Sequence, residues 1–312
     1  MRLALTMSPG AKARLQIHFC VFLWGFTAIL GKLITLAALP LVWWRMLLVS
    51  ATLLLLPRVW RALRAMPTRL RLAYAGIGVI VSLHWLTFYS AIKLANASVA
   101  VTCIAIAPLF LALVEPWLAR RRFEMRELLL ALVVVPGVAL VVDGVPAAMR
   151  MGVAVGVVSA LLVAIFSALN KRLVEHADPL AVTTLELGAG AAFLTVLAPL
   201  LPHAGATYPL PDAHDAVLLL VLAWACTLLP FTLSLHALRQ VSAFSMQLIT
   251  NLEPVYAIVL AIVLLHEQRV LDARFYLGVV VILAAVFMHP LLPAAAVMRR
   301  SRSCWPPPNP RA

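Results

Sequence analysis

The sequence predicts an all-α polytopic membrane protein of about ten transmembrane helices, arranged as two inverted five-helix repeats. Three observations predict it: nearly unbroken apolar stretches, basic residues gathered into short runs, and a weak internal repeat. Hydrophobic residues make up 64% of the 312 positions and charged residues 12%, and the mean hydropathy is +1.01. A soluble domain needs more polar surface than this. Inside lipid every backbone amide must be paired within its own element, so the apolar stretches read as helices. The alternating pattern of a membrane β-barrel is absent.

Taken in order, spans are expected near 15–36, 40–57, 72–92, 97–118, 126–143, 151–170, 179–200, 216–236, 243–264 and 271–290. The apolar stretch from Leu15 to Leu36 is too long for a signal-peptide core and reads as a retained first span. Residues 1–14 then form an N-terminal tail, 15–143 and 151–290 the two five-helix units, and 291–312 a basic, Pro-rich tail. Cys20, Cys103 and Cys226 lie inside apolar segments and Cys304 in the tail. No pair of them has metal-ligand spacing or suggests a disulfide framework.

The net charge of +13 does not point to nucleic acid, because the charges lie between spans. With the N-terminus cytoplasmic, the inner segments hold three basic residues before the first span, five over 58–71, four over 120–126 and two at 171–172. Arg239 and four residues after 298 complete nineteen of the 25. This bias predicts a bacterial-type inner (plasma) membrane protein with both termini cytoplasmic, and so an even number of spans.

Shifted by 146 residues, Ala91, Lys93, Ala97, Pro108 and Phe110 fall on Ala237, Arg239, Ala243, Pro254 and Tyr256. Shifted by 139, Lys32 and Pro40 fall on Lys171 and Pro179. Two units of five spans must face opposite ways, because five is odd. Inverted halves are a transporter architecture with the substrate site near the midplane.

Several residues resemble the EamA family of the drug/metabolite transporter superfamily, over nearly all of 15–290. Trp24-Gly25 precedes Lys32 by seven positions from the Gly, and Pro40 precedes Arg45. The stretch from Tyr89 to Ser98 reads YSAIKLANAS, close to the family's "YxAlxxtsAs". Glu253-Pro254 is followed by Glu267, where the family writes "lgE". The matching place in the first half is Arg121, so a symmetric Glu pair is missing. The resemblance implies ten helices in two inverted repeats, alternating access, and export of metabolites or amino acids.

Charged side chains deep in a membrane helix cost about 2.5–3.5 kcal/mol on insertion scales and default to functional candidates. Glu253, mid-span beside Pro254, is a candidate proton carrier; the alternative is a neutral Glu bonding a carbonyl that the proline frees. Gln247 and Asn251 share a face with Pro254. Glu253 lies about 200° round from Asn251, so both reach one cavity only if the helix breaks near the proline. Pro108 and Pro254 are the helix-break candidates. Arg45 either snorkels to the headgroups beside Trp43 and Trp44 or binds an anionic group. Glu186 is expected about 10 Å deep, while Glu115 reads as an interfacial charge near Arg120–Arg122. His84, Trp85 and Tyr89 offer an aromatic wall for apolar or cationic solutes, although packing against neighbouring helices is the alternative. Trp24 and Asn170 are candidates by resemblance and position.

The function expected is secondary transport of a small metabolite, amino acid or drug-like solute, by export or alternatively uptake. The partners are the small-molecule substrate, the lipid bilayer and a proton or counter-substrate, and a homodimer is compatible with this reading. No phosphate-binding G-x-x-x-x-G-K-[ST] loop is present, and no cofactor or metal is expected. A membrane-embedded enzyme would need clustered His and carboxylates, and HxxxxD and HExxH are both absent. A non-transporting scaffold would need no inverted repeat.

Overall fold

The computed structural model describes residues 8–119, 123–132, 134–201 and 206–288, and all its regular elements are helical. The tail at 291–312, Cys304 and Arg120–Arg122 lie outside the described residues. In the first half of the chain, α1 spans Pro9–Leu33, α2 Ala38–Leu54, α3 Pro57–Ala65, α4 Thr68–Leu94, α5 Ala97–Ile104, α6 Ala107–Leu118, α7 Met125–Leu132 and α8 Val134–Asp143. The second holds α9 (Arg150–Leu173), α10 (Pro179–Leu197), α11 (Ala213–Ala223), α12 (Leu229–Leu238), α13 (Ala243–Thr250), α14 (Glu253–Leu265) and α15 (Ala273–Met288).

Among the described residues seven helical stretches are long and apolar enough to cross a membrane, and α2 with α3 makes an eighth if that bent pair is one span. Val134–Asp143 and Ala273–Ala284 are shorter apolar helices.

Local chemistry explains where the helices depart from the sequence expectation. The first helix starts at Pro9 rather than near 15. Ser8 accepts a hydrogen bond from the Ala11 amide, and Pro9 occupies the first turn, where its missing N–H is harmless. The second ends at Leu54, and Pro57 starts α3 after a 93° bend. The fourth and ninth spans are each two helices. They break at Ala105–Ile106 and at Asn251–Leu252, with Pro108 and Pro254 in the first turn after each break.

Contacts between helix ends divide the molecule into two ends. At one, Arg58 pairs with Asp178 at 2.6 Å, and Arg172 donates to the Leu118 carbonyl. There Lys171 also donates to the Leu238 carbonyl, and Arg239 donates to the carbonyls of Val174 and Ala177. At the other end Lys93 donates to the Ile34 carbonyl. Asp215 accepts from the amides of Thr35 and Leu36 and from the Thr35 hydroxyl, and Arg274 pairs with Asp143 at 2.6 Å. The first of these is the basic end; α1 reaches it with Pro9, because its Leu33 terminus lies at the other.

α4 packs on α9 and α10, α2 on α10, and α1 on α12 and α14. Small residues set the closest approaches. A Cβ on Gly25 would lie 2.7 Å from that of Tyr256, so α1 lies against α14 only with glycine there. α8 and α15 meet backbone to backbone, where a Cβ on Gly137 would lie 2.8 Å from the Gly278 carbonyl.

Candidate functional site

A cavity lies at the level of the two helix breaks, with about 100 Å³ open to the centres of water-sized molecules. Its walls come from both halves. Trp24, Arg45, His84, Trp85 and Ile104 belong to the first, and Phe166, Phe231, Gln247 and Glu253 to the second. Glu253 is ten residues from the start of α13, about 15 Å along a helix, which is half of a hydrocarbon core of about 30 Å.

Arg45 is held by its neighbours rather than reaching for headgroups, and it is only 3% exposed. Its Nε donates to Thr227 Oγ1 at 2.6 Å, one terminal nitrogen to the Tyr89 hydroxyl at 2.8 Å, and the other reaches the Cys226 carbonyl at 3.5 Å. The guanidinium stacks on Trp85, 3.8 Å from the ring centroid. Trp43 and Trp44 turn elsewhere and donate to Thr195 and to the Pro209 carbonyl.

The partners of Arg45 exist because α11 and α12 are joined by a π-helical turn, Trp224–Leu228. Pro230 has no N–H to give the carbonyl four residues earlier, and its ring crowds that carbonyl. That carbonyl belongs to Cys226, one of the groups Arg45 reaches. Within the turn Thr227 donates to the Leu222 carbonyl, which leaves its oxygen free to accept from Arg45. Neither Thr227 nor the Cys226 carbonyl was marked as a partner for Arg45 from the sequence, although Pro230 inside an apolar span was the signal that could have found the turn.

Glu253 opens α14 as its first residue, with Pro254 next to it. A carboxylate there faces the positive end of the helix dipole. Gln247 lines the same cavity, and its Nε2 has no hydrogen-bond partner among the described residues. Asn251 turns away, and its amide donates to the Ala105 carbonyl at the other break, 3.1 Å distant. The break therefore does not bring Asn251 and Glu253 onto one cavity wall.

His84 Nδ1 lies 2.9 Å from the Ser159 carbonyl. The Ser159 hydroxyl lies 2.8 Å from the same Nδ1 and donates to the His84 carbonyl, so one serine holds the ring by two oxygens. The ring stacks with Phe88 and tilts against Phe166. Tyr89 is fully buried and holds Arg45 without itself lining the cavity. Glu186 and Asn170 form a separate buried pair, with the Asn170 amide 3.3 Å from a Glu186 carboxylate oxygen, and neither lines the cavity. Glu115 is buried.

Glu267 has a structural partner that spacing alone did not reveal. Its carboxylate accepts from the Ala97 and Ser98 amides and from the Ser98 hydroxyl, at 3.1, 3.0 and 2.6 Å. It thus caps α5, whose Asn96 side chain also accepts from Val99 N. The N-terminus of α13, 146 residues on from that of α5, is capped by its own Ser242. Asp212, His214 and Asp215 place ligand atoms within 4.8 Å of one another, but both carboxylates already accept backbone amides.

A bundle of hydrophobic helices around a partly charged internal cavity defines a multi-pass integral membrane protein. The chain belongs to the EamA-like transporter family, which matches it twice, over residues 12–143 and 150–289. The drug/metabolite type of membrane transporter is therefore its class, and the family is not an enzymatic one. Twenty-five chains of known structure match it. One is a crystal structure described only as that of a protein, with TM-score 0.66 and 17% identity, covering 90% of this chain and 97% of that one. At that identity the likeness shows the fold alone. No curated protein matches the chain.

Proposed function

We propose that the chain is a secondary transporter that moves a small metabolite, amino acid or drug-like solute across the inner membrane by alternating access, in the direction of export. One observation carries this reading: Arg45 and Glu253 line one mid-depth cavity between the two matched repeats. A site between two halves changes the end it opens to when one half rocks against the other. A cation and a carboxylate facing the same small space bind polar groups of either sign, and the aromatic walls accept an apolar body.

Ten spans in two inverted units form part of the proposal. α2, the α7–α8 stretch and α15 would complete the seven long spans. Two contacts support the inversion. Lys93 closes on the carbonyl that ends α1 at one end of the molecule. Arg239, 146 residues later, closes on the carbonyl that ends α9 at the opposite end. Asn251 bonds Ala105, again 146 residues away, as a residue does with its own counterpart beside a twofold axis.

Glu253 is the proposed proton site. Purified protein in liposomes with an imposed pH gradient tests it against a panel of metabolites. Glu253→Gln is expected to abolish the pH dependence of flux while membrane protein levels stay intact. An unchanged pH profile removes Glu253 from the mechanism, and no protein-dependent flux with any solute removes the transport reading.

A further inference from the structure

We propose that a second groove, between α4 and α9 at the basic end, is a binding site for an anionic phospholipid, with one acyl chain in the groove and the phosphate on Arg69 and Arg172. The groove leaves about 790 Å³ open to water-sized molecules and shares no lining residue with the central cavity. Its walls are apolar, from Leu72, Ala73 and Ile80 on α4 and from Leu169 and Leu173 on α9. Its charged residues gather toward one end of it: Arg69 stands at the start of α4 and Arg172 in the last turn of α9, with Glu175 the only acid among the described lining residues.

The depth of this mouth is set by α3. That helix turns 93° from α2, buries Val59 and exposes Arg58, Arg61, Arg64 and Trp60. A short basic helix with a Trp, lying across the bundle axis, sits in the headgroup layer. Only Met66 and Pro67 separate it from α4, so Arg69 enters at phosphate depth. From Arg69 to Ile80 the groove runs about 16 Å along α4, which matches one leaflet, or half of a hydrocarbon core of about 30 Å. Solvent cannot fill an apolar channel open to lipid at that depth, whereas an acyl chain can. The excess of cations at the mouth selects an anionic headgroup, the arrangement that favours acidic lipids between spans on the cytoplasmic side. The channel is open beside Gly76, where an added Cβ would meet nothing within 4 Å, so only a large side chain there would fill it.

Lipid binding to the purified full-length protein in detergent tests the proposal independently of transport. Native mass spectrometry would count retained dioleoyl-phosphatidylglycerol against dioleoyl-phosphatidylcholine. Phosphatidylglycerol is expected to bind preferentially, about fivefold more weakly after Arg69→Gln or Arg172→Gln and about thirtyfold more weakly after both. Gly76→Phe should fill the channel and abolish retention without changing charge, and it keeps the test open if the double variant misfolds. Arg150→Gln, at the opposite end, should leave binding unchanged. Equal retention of the two lipids, or a folded double variant that binds normally, overturns the proposal. Competition by soluble glycerol phosphate as effective as by the lipid also overturns it, because the site would then recognise phosphate alone.

Discussion

Arg45 illustrates how one intramembrane charge is kept soluble in a protein interior. Three oxygen acceptors and an aromatic face replace the water it lost: Thr227 and Cys226 from the π-helical turn, and Tyr89 and Trp85 from α4. Hydrogen bonds to charged groups contribute about 1.5–3 kcal/mol each, so Tyr89→Phe should lower stability by about that amount, read from thermal unfolding in detergent. Arg45→Lys keeps the charge but loses the planar fork and most of the stacking on Trp85. It is expected to reduce flux at least tenfold in the liposome assay, and transport at the wild-type level would show that charge alone suffices. The sequence marked Arg45 as anomalous because a cation inside a span is expensive wherever it points. It did not mark Thr227, since a threonine in a helix is unremarkable until a proline-induced π turn presents its oxygen.

At the scale of elements, the two broken spans and the carboxylate caps decide how the bundle is held. Glu267 binds the start of α5 from 169 and 170 residues away and joins the ninth span to the fourth. Replacing a capping side chain costs about 1 kcal/mol, so Glu267→Ala should shift unfolding by about that amount. Ser98→Ala should add little once Glu267 is gone, because residues in contact are not additive. Full additivity in that double-mutant cycle would show the contact to be weak. Gly137→Leu forces α8 and α15 apart and should destabilise by about 1–3 kcal/mol. The prolines after each break were legible as helix breakers from their chemistry. That Asn251 would use its break to meet Ala105 while Glu253 kept the cavity was not, because helical angles place side chains on a face without saying which helix lies opposite.

For the whole molecule, the basic end gathers Arg58, Arg61, Arg64, Arg69, Arg71, Lys171, Arg172 and Arg239, and the other end holds Lys32, Lys93, Arg150, Arg269 and Arg274. The positive-inside bias then predicts that a single cysteine placed at Leu210 is labelled from outside the cell, and one at Arg61 only after permeabilisation. The reverse pattern would overturn the proposed orientation. The sequence by itself determined that the chain crosses a membrane many times, where most apolar helices run, and that it falls into two related halves. These depend on transfer of local segments into lipid and on composition along the chain, and need no knowledge of neighbours. Only the tertiary structure decided that Arg45 and Glu253 face one cavity, that Glu186 pairs instead with Asn170, and that α4 and α9 leave a channel open at the basic end. Each of these depends on which helices pack side by side, and such contacts join residues far apart in a chain whose apolar helices are, to lipid, nearly interchangeable.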